Sequence, residues 1–166
     1  GEGGLPSVRL QIYRWDTPLP FGGGVGGGVD TKEVELNFLS SPDIAQTLAV
    51  TYAGLGIPAL FSGLETLAIK ETDRTAALRT ELAKVGVSFL PDNPERSRWV
   101  LRGKARWTEP PRFATYGDHR MAMAFAPLAM FGPIEIENPG VVVKSYPAFW
   151  EQLAQFGFVL EKFMIP

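Results

Sequence analysis

The chain has 166 residues, 45% of them hydrophobic and 20% charged, enough for one domain with a real core or for part of a larger enzyme. Its 16 basic and 18 acidic residues give a net charge of −2, so no overall basic field draws it to nucleic acid or to an anionic membrane. With no cysteine and one histidine, disulfides, thiolate metal sites, a cysteine nucleophile and multi-histidine metal clusters are excluded.

The first residues, "GEGGLPSVRL", lack the apolar run of a signal peptide. The longest apolar run, Ala122 to Phe131, is too short to span a bilayer, so the chain reads as soluble and cytoplasmic. "SVRLQIYR" alternates apolar and polar and reads as a strand. "WDTPLPFGGGVGGGVDTKE" follows as a loop, by its Gly and Pro content. Gly22, Gly24 and Gly27 there satisfy a G-x-G-x-x-G pattern. No helix opens after it, because "VELNFLSS" reads as another strand, so a hairpin tip is preferred to a dinucleotide site.

From Pro42 the period changes. "PDIAQTLAVTYAGLG" reads as a helix with Asp43 near its start, and "IPALFSG" as a strand. "ETDRTAALRTELAKVG" is a second helix closed by Gly86. "VSFLPD" and "RWVLRG" are strands around a polar turn. "DHRMAMAFAPLAMFG" is a third helix, which Pro127 is expected to kink. "PIEIENPG" is a strand, "SYPAFWEQLAQFG" a fourth helix and "FVLEKFMI" a last strand.

This order contains a repeat. Asp43 and Lys70 lie 27 residues apart, and Asp118 and Lys144 lie 26 apart, each pair enclosing a helix and a strand and leading into a second helix. The units cover about residues 43–103 and 118–166. Two related helix–strand–helix–strand units around a shared core make an α/β domain.

The chemistry collects at helix starts. Lys70, Arg74, Arg120 and Lys144 all stand at or just before predicted helix N-termini, which already carry partial positive charge. Cations there cost stability unless an anion arrives, so the pattern points to a face that binds phosphate or carboxylate. Arginine adds planar, bidentate recognition. Asp43, Glu71 and His119 lie beside these cations, as proton-transfer chemistry requires. Each has a plainer reading. Asp43 serves equally as a helix cap, Glu71 and Asp73 as complements to the dipole, Glu71 and Arg74 as a surface pair, and His119 as a packed histidine. Met121, Met123 and Met130 read as core.

"SPDIAQTLAV" at 41–50, "KETDR" at 70–74, "YGDHRMAMAF" at 116–125 and "KSYPAFWEQLAQFG" at 144–157 resemble the 5-enolpyruvylshikimate-3-phosphate synthase family. "KETDR" with a downstream "DHRMAM" is a specific pair that the sister UDP-N-acetylglucosamine enolpyruvyl transferases lack. The resemblance implies an inside-out α/β barrel domain of βαβαββ-type repeats, with helix N-termini facing an interdomain cleft. It also implies that these 166 residues are a C-terminal portion, without the N-terminal domain. The implied reaction moves the enolpyruvyl group of phosphoenolpyruvate to the 5-hydroxyl of shikimate 3-phosphate and releases phosphate, with no metal or organic cofactor.

Residue by residue, the resemblance makes Asp43 the contact to that hydroxyl and the candidate base, and places Lys70 at the same substrate. Glu71 becomes the acid and base at the phosphoenolpyruvate methylene. Arg74, Arg120 and Lys144 become the phosphoenolpyruvate-binding cations, with His119 beside them. Thr66 stands where the family often has an asparagine at the substrate. Other readings stay open: a non-catalytic phosphate-binding module on the same scaffold, a related enolpyruvyl transferase acting on UDP-N-acetylglucosamine, and a generic α/β interaction domain. The anion-site reading expects Asp43, Lys70, His119, Arg120 and Lys144 on one face.

Overall fold

The computed structural model describes residues 7–14, 32–70 and 72–165. Two four-stranded sheets carry four α-helices. Strands β2 (Val34–Asn37), β3 (Ala59–Ser62), β4 (Ser88–Pro91) and β5 (Arg98–Arg102) form the first sheet, in the order β2-β3-β5-β4. Strands β1 (Ser7–Arg14), β6 (Arg112–Phe113), β7 (Ile134–Glu137) and β8 (Phe158–Ile165) form the second, in the order β6-β7-β1-β8. Each sheet has one parallel pair, β2 with β3 and β6 with β7, followed by two antiparallel steps. In the second sheet β1 holds the place that β5 holds in the first.

Helix α1 (Ala45–Leu55) joins β2 to β3, and α3 (His119–Phe125) joins β6 to β7. Helix α2 (Arg74–Ala83) leads from β3 to β4, and α4 (Phe149–Gln155) from β7 to β8. Short 3-10 turns sit at 42–44, 65–69, 126–130 and 139–144. Pro127 accordingly ends α3, and the chain continues as a 3-10 turn rather than as a kinked α-helix. The predicted strands all form. The helices start later than predicted, at 74 rather than 71 and at 149 rather than 145, and the two-residue β6 has no sequence signal.

Alternation builds the strands. "ALFS" and "IEIE" each bury every second side chain, as a half-covered sheet requires. The core of the first sheet is an aromatic row: Phe38 stacks on Phe61 at 5.2 Å, Phe61 meets Phe89 edge-on at 5.6 Å, and Phe89 stacks on Trp99 at 5.0 Å. Trp99 is buried and donates its indole N–H to the Arg96 carbonyl at 3.0 Å. Helix α1 buries mainly small residues, Ala45, Ala49, Val50 and Ala53, so α3 packs close to it. A Cβ on Gly54 would come within 2.8 Å of the Phe131 ring, which keeps that face of α1 free of side chain. Among the described residues, no helix is long and apolar enough to cross a membrane.

Candidate active site

Three helix starts meet around one set of charges. Asp118 caps α3 by accepting the Arg120 backbone N–H at 2.9 Å. Its carboxylate also accepts the Arg74 guanidinium, from Nε at 2.7 Å and from Nη2 at 3.4 Å. Arg74 is the first residue of α2, and both partners are 2% exposed. A buried charge persists only when paired and hydrogen-bonded, and each of these satisfies the other. Gln46, in the first turn of the fully buried face of α1, donates to the same carboxylate at 3.4 Å. Its Oε1 is buried and has no hydrogen-bond partner among the described residues.

The second carboxylate is Asp43, in the 3-10 turn that precedes α1. Arg74 Nη1 donates to its Oδ1 at 3.4 Å, and Arg120 Nη2 lies 3.2 Å from its Oδ2. Arg120 Nη1 also donates to the Asp43 carbonyl at 3.0 Å. The result is an alternating chain, Asp118–Arg74–Asp43–Arg120. It is dry at the Arg74–Asp118 end and open at the other, where the Asp43 and Arg120 side chains are 47% and 33% exposed. His119 borders it, with Nδ1 3.9 Å from Asp118 Oδ1.

The structure thus brings together Asp43, Arg74, Arg120 and His119 of the predicted set. Arg74 is not on the surface: among the described residues the Asp118 and Asp43 carboxylates both accept from its guanidinium, so its position suits holding them in place. Lys70 and Lys144 occupy corresponding places, each closing a 3-10 turn before an α-helix, and both are exposed and make no ion pair with a described residue. Thr66 is exposed in the 65–69 turn. Glu71 lies outside the described residues.

Asp118, Gln46 and Glu81 were not among the predicted site residues. An acid directly before a helix signals a cap, and Asp118 does cap; its second task depends on Arg74, 44 residues away. The helix α2 cap is Asp73, which accepts the Ala76 N–H at 3.0 Å and the Thr75 hydroxyl at 2.7 Å. Partial burial raises the Asp73 pKa, but those two hydrogen bonds and Arg96, 3.7 Å away, outweigh it and hold the carboxyl below its usual range.

A family model described as EPSP synthase (3-phosphoshikimate 1-carboxyvinyltransferase) matches residues 23–153. A 3-phosphoshikimate 1-carboxyvinyltransferase of Bacteroides fragilis is 45% identical over 132 residues, covering 79% of this chain and 32% of that protein. The chain therefore spans about a third of the length of the curated relatives it matches. The structure of an EPSP synthase from Acinetobacter baumannii superposes with a TM-score of 0.58 at 25% identity, covering 71% of this chain and 28% of that one. The enolpyruvyl transferase NikO from Streptomyces tendae gives a TM-score of 0.55 at 20% identity over 81% of this chain and 30% of its own, a likeness of fold. The fold is the α/β fold of the enolpyruvyl transferases.

Proposed function

The chain belongs to the EPSP synthase family, and from that premise we propose that it is the C-terminal portion of a cytoplasmic 3-phosphoshikimate 1-carboxyvinyltransferase. In this reading it supplies part of an active site that an N-terminal domain completes. The substrates are phosphoenolpyruvate and shikimate 3-phosphate. The observation that carries the reading is the open end of the charge chain, where Asp43 and Arg120 face solvent on a base fixed by the buried Arg74–Asp118 pair.

The roles follow from what each group offers. Arg120, Lys70 and Lys144 hold the carboxylate and phosphate of phosphoenolpyruvate and the phosphorylated acceptor, by charge-assisted hydrogen bonds. Arg74 keeps Asp43 and Asp118 in register with Arg120. The acceptor hydroxyl attacks the substituted carbon of phosphoenolpyruvate while Glu71 gives a proton to its methylene carbon and Asp43 takes the hydroxyl proton. The tetrahedral adduct then expels phosphate, and Glu71 recovers a proton from the new methyl group, leaving the enol ether. The cations stabilise charge on the departing phosphate. In this reading His119 joins Asp43 and Glu71 as a candidate for proton transfer, and Thr66 is a substrate contact.

The reading is tested by titrating phosphoenolpyruvate into the 166-residue chain by calorimetry. Arg120→Ala should weaken binding about tenfold, the loss of one charge-assisted pair. Equal affinity in the variant would overturn the assignment. In an enzyme completed by its N-terminal domain, Glu71→Gln should lower turnover by about 10²–10⁴-fold with little change in phosphoenolpyruvate affinity.

A further inference from the structure

Glu81 lies seven residues after Arg74 on α2, and so on the same face two turns along. It is 1% exposed. A carboxylate survives there only if its oxygens are satisfied. They are: Oε2 accepts Lys84 Nζ at 2.6 Å and the Ala114 backbone N–H at 3.1 Å, and Oε1 accepts the Tyr116 hydroxyl at 2.8 Å. Lys84 Nζ reaches further, donating to the Arg112 carbonyl at 2.7 Å. One helix thus grips Arg112, Ala114 and Tyr116, the segment that runs directly into Asp118, His119 and Arg120.

That segment needs a grip. Tyr116 and Gly117 take consecutive left-handed conformations, with φ of 55° and 70°. Glycine tolerates this, but a tyrosine Cβ does not, and such a residue persists only where its surroundings over-determine it. The two left-handed residues turn the chain so that Asp118 can cap α3 and face Arg74. The same rigid helix therefore fixes the turn at both ends, through Glu81 before it and through Arg74 after it.

We propose that Glu81 is a positioning residue for the anion site: with Tyr116 and Lys84 it locks the 112–117 segment, and so sets where Arg120 stands opposite Asp43. The proposal rests on the reading of Asp43 and Arg120 as part of that site. Glu81 itself touches none of the reacting groups.

Two readouts on the 166-residue chain test it. The first is amide hydrogen exchange at residues 117–120, which needs no ligand. Glu81→Gln keeps the shape but sets an amide N–H₂ against the donors around it. Tyr116→Phe removes one arm and keeps the ring, so it serves if the Gln variant does not fold. Both should speed exchange at 117–120 by on the order of tenfold or more, while amides of β3 and β5 exchange as in the wild type. The second readout is phosphoenolpyruvate affinity, which should fall about fivefold in either variant, because Arg120 is no longer held in register. A variant that lowers global stability but leaves local exchange and affinity unchanged would overturn the proposal and leave Glu81 a core residue only. Arg120→Ala separates the two readings. If it binds phosphoenolpyruvate like the wild type, the anion-site assignment fails, and the exchange result still decides whether Glu81 locks the turn.

Discussion

Asp118→Asn isolates the charge at the centre of the site. In the wild type, Oδ1 accepts the Arg120 N–H and Arg74 Nη2, while Oδ2 accepts Arg74 Nε and Gln46 Nε2. The asparagine oxygen can keep the cap, but its N–H₂ then faces the Arg74 and Gln46 donors; flipped, it faces the Arg120 N–H. Either way Arg74 stays buried without the carboxylate charge that accepts its Nε at 2.7 Å. Breaking a buried pair by removing one partner costs about 3–5 kcal/mol. Arg74 keeps Asp43 at 3.4 Å, which puts the expected loss near the lower end, about 3 kcal/mol. For a chain of this size that is a fall in Tm of about 6–12 °C. Asp118→Ala loses the cap as well, for about 4 kcal/mol in total. Asp43→Asn is the internal control: it removes a carboxylate from the same arginine, but one that is half exposed, and should cost about 1 kcal/mol or less. Urea denaturation at neutral pH, followed by circular dichroism, measures all three. A loss below about 1 kcal/mol for Asp118→Asn, or one equal to that of Asp43→Asn, would refute the claim that burial makes Asp118 the anchor.

Gly63 follows β3 with φ of 74°, and a Cβ there would lie 2.5 Å from the Leu39 backbone nitrogen. Gly63→Ala should therefore destabilise the chain by at least about 2 kcal/mol in the same urea titration, through left-handed strain plus a forced shift of the β2 exit. Burial raises the Tyr116 phenol to about 12, and its hydrogen bond to the Glu81 carboxylate adds to the shift. Its proton is held more tightly in the folded than in the unfolded chain. The stabilisation is therefore complete below pH 10 and lost as pH rises through about 12. Absorbance at 295 nm should show a tyrosine step near pH 12 that Tyr116→Phe removes; an unchanged titration curve would assign the step elsewhere.

Periodicity made most of the elements legible. Every strand of three residues or more follows an apolar alternation or run visible in the sequence, and the charged helix starts marked the region of the site. What stayed hidden is long-range. The cations at helix starts have a local signal, but the carboxylates that Arg74 meets, 31 residues before it and 44 after it, have none. Nothing local distinguishes Arg74 from Arg120, which has a similar place at a helix start and yet reaches the open end. The 3-10 turns "ETLAI" and "PGVVVK" lack a period long enough to read, so the sequence pattern places the starts of the α-helices after them too early. The cap of α2 had a local signal, because Asp73 is followed by helix formers and precedes Arg74 directly. Glu81 has no local signal for burial; the approach of Ala114 and Tyr116, 33 and 35 residues further along the chain, makes it internal.

The place of β1 also governs how the second sheet can assemble. β8 hydrogen-bonds to no described strand but β1, and β1 alone bridges it to β7. Strand β1 must reach residues 134–137 to close one ladder and residues 158–165 to close the other, whereas the first sheet draws only on residues 34–102. Closing so long a loop adds little to the equilibrium cost, because that cost grows only with the logarithm of length. It weighs on the rate, since distant pairings form late. The first sheet and its aromatic row, built from nearer pairings, are thus placed to form before the ladders of β1. Docking of β1 then completes two ladders in one step, and its release undoes both. Residues 7–14 and 158–165 form a single opening unit, whose exchange protection should rise and fall together.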